Sequence, residues 1–302
     1  MMLHENEIPA DEALVRSLLT AQRPEWADLP LAWAGAGTDN TLYRLGDGLL
    51  VRLPRTHDNA RALRKEQYWL PRLAPHLTRT IPEPVHTGTP TDAFPLVWSV
   101  HRWIDGTEPG QDTVHDWTAF GEELASFVRE LHATDLMGAT RADGLDGYRG
   151  GSLRACDEQV GRDLAACRAT LGEELDLDTL RRLWEAALAL PEPAAPHGWL
   201  HGDLKPTNLL VRGGALHAVI DFGGLTVGAP DAEHAPLWDF PPPARRAYWN
   251  ALDLDTPTWT RARAWSLAIA LSGLTYYRHT FPEFATECRA RLEAILADAN
   301  GR

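Results

Sequence analysis

The segment WLHGDLKPTNLLV, residues 199–211, constrains the fold more tightly than any other part of the chain. It sets His201, Asp203, Lys205 and Asn208 between the apolar arms Trp199-Leu200 and Leu209-Leu210-Val211. Ionisable groups placed beside such arms are costly unless they are paired, hydrogen-bonded or bound to a metal. The fold must therefore bring a partner to this loop. Downstream, NLLV and ALHAVIDF are joined through Arg212, Gly213 and Gly214, a pattern that predicts a hairpin. A hairpin returns Asp221 beside the loop that carries Asp203 and Asn208. Two carboxylates and one carboxamide oxygen then converge. Oxygen donors of this kind suit Mg²⁺, which takes one or two protein carboxylates together with phosphate oxygens and water. The expected partner is a metal nucleotide.

The flanking sequence divides into two parts, 1–104 and 105–302. In the first, an amphipathic stretch (Asp11 to Gln22) precedes LAWAGAG, NTLYRL and GLLVRLP, which read as three antiparallel strands separated by Gly-containing turns. ARALRKEQYWLPRL (60–73) has helical spacing, and PVHTGT and PLVWSVHRW supply two more strands. From Asp112 onward apolar residues recur at three and four spacing through several segments, broken only at 199–222. The expectation is an α+β, bilobal chain: a small lobe built on an antiparallel sheet, and a larger, mostly helical lobe.

The formal charge of -13 argues against a nucleic-acid partner, which requires a basic face to displace counterions. It is compatible with a cationic one. Cys156, Cys167 and Cys288 are too few and too scattered for a disulfide framework or a zinc site, so a reducing compartment is expected. The first residues, MMLHENEIPADEALV, lack the basic start and apolar run of a signal peptide, and no uninterrupted apolar run approaches a membrane span. A soluble cytoplasmic protein without membrane contact is the expectation, and the oligomeric state is left open.

HGDLKPTN followed by IDFG resembles the catalytic and metal-binding segments of the protein-kinase-like superfamily. Gly202, where protein kinases carry Arg, makes the segment similar to the aminoglycoside phosphotransferase branch in particular. The resemblance implies a kinase-like fold and transfer of the γ-phosphoryl of ATP or GTP, with Mg²⁺, to a hydroxyl of a small molecule. Asp203 would take or orient the hydroxyl proton, Lys205 would sit near the transferring phosphate, and Asn208 and Asp221 would hold the metal. His201 would support the loop. In the first lobe, AGAGTDN would present Gly37, Thr38 and Asn40 to phosphates, although it is not G-x-G-x-x-G. Arg52 stands where kinases generally carry Lys, with Glu66 as its expected partner on the next helix, and Arg102 and Ile104 would offer backbone groups to the base.

The sequence departs from the family after the IDFG turn, where Ala229 replaces an expected Asp; Asp231 or Glu233 is the expected substitute brace. The long helical stretch between Ile104 and His201, and the lack of Ala-Pro-Glu, weigh against a protein kinase. Residues 141–178 are rich in Asp and Glu, a field suited to a cationic acceptor such as an aminoglycoside. Macrolide, tuberactinomycin, choline or homoserine acceptors stay open on sequence, as does a catalytically idle nucleotide-binding protein.

Overall fold

The computed structural model describes residues 6–37, 39–299 and 301. The chain begins with α1 (Glu12–Gln22), capped by the Asp11 carboxylate, which accepts from the Leu14 N–H at 2.8 Å. An unsatisfied N–H at a helix start is thereby paired. Strands β1 (Leu31–Ala36), β2 (Asn40–Leu45) and β3 (Leu49–Pro54) follow as an antiparallel meander. Helix α2 (His57–Leu73) starts at the Thr56 cap, three residues before the apolar spacing alone predicts. With β4 (Pro84–Gly88) and β5 (Trp98–Arg102), the sheet has the order β1-β2-β3-β5-β4.

The remainder is largely helical. It contains α3 (Trp117–Ala133), α4 (Asp157–Leu171) and α5 (Leu177–Leu188), then strands β6 (Gly198–Leu200), β7 (Leu209–Arg212), β8 (Ala215–Val219) and β9 (Thr226–Gly228). Helices α6 (Pro242–Leu252), α7 (Thr256–Tyr277) and α8 (Pro282–Ala299) complete it. The predicted hairpin is β7–β8. A second pair, β6 with β9, brackets it and is too short to leave a periodic signal in the sequence. Gly121 of α3 lets α6 approach closely: a Cβ there would lie 2.2 Å from the Ala244 carbonyl oxygen.

Two apolar cores hold the architecture. One joins α1 to the five-stranded sheet through Val15, Leu18, Leu45, Val51, Leu53 and Trp98. The other, far larger, gathers Phe120, Phe127, Trp199, Phe222, Tyr248 and Trp265. Each fully buried Leu or Phe stabilises its core by roughly 1.5–3 kcal/mol. Helix α2 serves both, with Ala60 and Leu63 in the first and Trp69, Leu70 and Leu73 in the second. Trp69 reaches Trp199 at 4.7 Å between ring centroids. The sheet is thus seated on the segment that carries the His201–Asn208 loop, forming the bilobal α+β arrangement expected from sequence.

Candidate active site

The loop from His201 to Asn208 is fixed from below. His201 is fully buried; its Nδ1 accepts from the Asp203 N–H at 3.1 Å, so Nε2 carries the proton donated to the Ile220 carbonyl at 2.9 Å. Burial holds this imidazole below its ordinary pKa, so it stays neutral and structural. Gly202 has φ +81°, and a Cβ there would stand 2.6 Å from the Gly224 carbonyl oxygen. Its N–H donates to Glu233 Oε2 at 3.3 Å. Glu233 therefore braces the loop, whereas Asp231 is turned away into a 3.0 Å contact with Arg261. Burial raises the Glu233 carboxyl to about 8.

Above that base, the oxygen-bearing side chains gather. Asn208 donates Nδ2 to the Asp203 carbonyl at 2.8 Å and to Asp203 Oδ2 at 3.1 Å. Lys205 Nζ lies 3.7 Å from the same Oδ2. Asp221, at φ +62° and about half exposed, follows Ile220, whose N–H donates to the Asn208 carbonyl at 2.9 Å. Asp221 Oδ1 is 3.9 Å from Arg52 Nη2. Arg52 in turn grips Glu66, and Lys65 Nζ donates to the Gly223 carbonyl at 3.0 Å, tying α2 to the turn after Asp221.

The other positions singled out in the first lobe lie around the same opening. Arg52 is paired in register with Leu42 and Ser99. Gly37 donates its N–H to the Asn40 carbonyl at 3.0 Å, closing the turn between β1 and β2. Asn40 is buried, and its Oδ1 has no hydrogen-bond partner among the described residues. Thr38 lies outside the described residues. Arg102 uses its N–H on the Glu83 carbonyl at 3.0 Å and its exposed guanidinium on the Glu83 carboxylate, while Ile104 has no backbone hydrogen bond among the described residues. His101 is buried, and neither ring nitrogen has a hydrogen-bond partner among the described residues.

A model of the phosphotransferase enzyme family matches residues 33–265, most of the chain and all of the motifs just described. The chain belongs to that family. No curated protein matches the sequence significantly. Among solved structures, the GDP complex of an aminoglycoside 2'-phosphotransferase is 20% identical, with 96% of this chain and 100% of that chain covered and a TM-score of 0.76. A macrolide 2'-phosphotransferase from Brachybacterium faecium is 24% identical, with 94% and 98% covered and a TM-score of 0.59. These likenesses show the shared fold, in agreement with the resemblance carried by HGDLKPTN and IDFG.

In this family member a cavity of about 340 Å³ opens beside Asp203. Its walls are aromatic (Tyr148, Tyr276, Tyr277, Phe281 and Phe284), with Arg149, Lys205 and Arg291 alongside. Among the described residues Asp203 is the one carboxylate in that lining. Arg149 was not legible as a site residue from sequence: its Nη1 lies 2.5 Å from Asp203 Oδ1. Burial alone would raise the Asp203 carboxyl, yet Arg149 and then Lys205 outweigh it and hold the group well below the usual carboxylate range. The stretch 141–178 contributes Tyr148 and Arg149 to this cavity, but among the described residues none of its acids lines it. Asp176 caps α5, Asp157 accepts from Trp184 Nε1 at 2.7 Å, Asp178 pairs with Arg168, and Glu174 pairs with Arg289 at 2.8 Å.

Proposed function

We propose that this chain is an O-phosphotransferase that moves the γ-phosphoryl of ATP or GTP to a hydroxyl of a small molecule. The observation that carries the reading is the bonded pair Asp203–Asn208, joined through Ile220 to Asp221, at the mouth of a cavity large enough for an acceptor. In phosphoryl transfer the protein acts mainly by positioning and by stabilising charge, so a small set of side chains suffices. Asp203 orients the acceptor hydroxyl and receives its proton; Lys205 serves the transferring phosphate. The first 104 residues form the nucleotide-binding lobe, with Gly37, Thr38 and Asn40 over the phosphates and Arg102 and Ile104 beside the base. Residues 105–302 form the catalytic and acceptor lobe. Arg52, oriented by Glu66, faces the phosphates as a fixed cation.

Asn208 and Asp221 fit Mg²⁺. The Asn208 nitrogen is engaged by Asp203, so the amide presents oxygen as its remaining donor to a cation, and Asp221 offers an exposed carboxylate. Among the described residues no cluster of three or more His, Cys, Asp or Glu stands ready for a metal. That agrees with an ion held partly by substrate phosphates. When bound, the ion neutralises phosphate charge.

The family resemblance, and neighbours solved with kanamycin and gentamicin, support an aminoglycoside acceptor. A second reading, a macrolide-like acceptor, is favoured by the aromatic lining and by the pairing of Glu174 and Asp178 elsewhere. No helix among the described residues is long and apolar enough to cross a membrane. Nucleoside diphosphate release, measured with Mg²⁺ and ATP or GTP over aminoglycosides, macrolides, tuberactinomycins, choline and homoserine, tests the assignment. Acceptor-dependent release is expected. Tight nucleotide binding with no such release across the panel would leave an idle nucleotide-binding protein instead.

A further inference from the structure

Arg149 makes three kinds of contact at once. Its Nη1 donates to the Gly202 carbonyl and, at 2.5 Å, to Asp203 Oδ1; its Nε donates to the Tyr148 hydroxyl at 2.9 Å. The guanidinium is therefore fixed against the backbone and the carboxylate of the loop on which the proposed reaction turns. Nη2 has no hydrogen-bond partner among the described residues, on a side chain that lines the cavity beside Asp203. The cationic groups of that lining are unevenly neutralised. Arg291 is gripped by both oxygens of Asp239, while among the described residues Lys205 has only the 3.7 Å contact with Asp203 and the face of Phe284.

We propose that Arg149 is a positioning and specificity residue for this reaction. Through Nη1 it fixes Asp203, and through Nη2 it selects an acceptor whose reacting hydroxyl is flanked by oxygen rather than by an ammonium group. This rests on the phosphotransferase reading of the same site. The physical reason is direct: an oxygen next to the reacting hydroxyl accepts from the free N–H groups, whereas an ammonium there meets a fixed positive charge and leaves a donor unpaired. A planar guanidinium can hold a carboxylate with one nitrogen and an acceptor oxygen with another, and a lysine cannot reproduce both.

The test uses methyl glucoside and methyl 2-amino-2-deoxyglucoside as matched probe acceptors, with the panel above, on the wild-type chain and on Arg149→Lys and Arg149→Met. Wild type should favour the oxygen-flanked probe by about tenfold or more in kcat/KM. Arg149→Met should lose that preference and lower kcat by roughly a hundredfold, with the nucleotide KM unchanged. Arg149→Lys, which cannot hold the carboxylate and an acceptor oxygen on separate nitrogens, should likewise lose the preference. Thermal melts identify a variant that fails to fold, and the lysine variant then carries the test. An active wild type that favours the amino probe, or whose preference survives in the variant that folds, overturns this inference alone. A wild type inactive on both probes and the whole panel overturns the phosphotransferase reading, and the inference with it.

Discussion

Arg52 on β3 and Glu66 on α2 meet in a two-pronged ion pair, Nη1 to Oε2 at 2.5 Å and Nη2 to Oε1 at 3.1 Å, with both side chains buried. Removing one member of a buried pair strands the other charge, at a cost of about 3–5 kcal/mol. Glu66→Ala should therefore lower unfolding stability by about that much in urea titrations. Arg52→Lys keeps the charge and loses the fork, and should weaken nucleotide binding by about tenfold with a much smaller loss of stability. Equal nucleotide affinity in both proteins would remove Arg52 from the nucleotide site.

Asp203 carries the proposed proton transfer. Asp203→Asn keeps the shape and the contact to Asn208 while removing the base, so turnover should fall roughly a hundred- to ten-thousand-fold. Nucleotide affinity by calorimetry should stay near the wild-type value. Unchanged turnover would take Asp203 out of the mechanism.

Gly202 permits the loop to pass beneath Gly224. Alanine at φ +81° is strained, and its Cβ would stand 2.6 Å from a backbone oxygen that cannot swing aside. Gly202→Ala should cost about 2 kcal/mol or more in chemical denaturation and reduce turnover sharply. Wild-type stability would mean that the loop relaxes without the His201 and Glu233 contacts.

Glu233 binds its proton more tightly in the folded chain, about 8, than the ordinary value of 4.5. Its contribution to stability is therefore complete below pH 4.5 and is lost as pH rises through about 8. Glu233→Gln keeps an acceptor for the Gly202 N–H without a titrating proton. Melting temperatures across that range should fall less steeply with pH in the variant than in wild type. Parallel slopes would show that Glu233 is already ionised in the fold.

Much of the site was legible because its residues are close in sequence. Asp203 and Asn208 share one loop, and a Gly-containing turn returns Asp221 to it, so local geometry settles their proximity. Arg52 and Glu66 were legible because a strand followed by a helix packed on the same sheet brings successive elements together. Arg149 was not: it lies in a segment without strand or helix period and reaches Asp203 across 54 residues. How the acids of 141–178 are engaged was not legible either, because partners such as Arg289 of α8 come from distant parts of the chain.

The sequence by itself determined the element order, the α+β character and the loop with its hairpin, since these follow from apolar period, turn chemistry and capping over a few residues. Only the tertiary structure decided which cation holds Asp203, which carboxyl braces Gly202, and that aromatic rings rather than acids wall the cavity. Those pairings depend on how helices far apart in the chain pack against one another. Packing is set by the shape and burial of whole surfaces, which no short stretch of residues encodes.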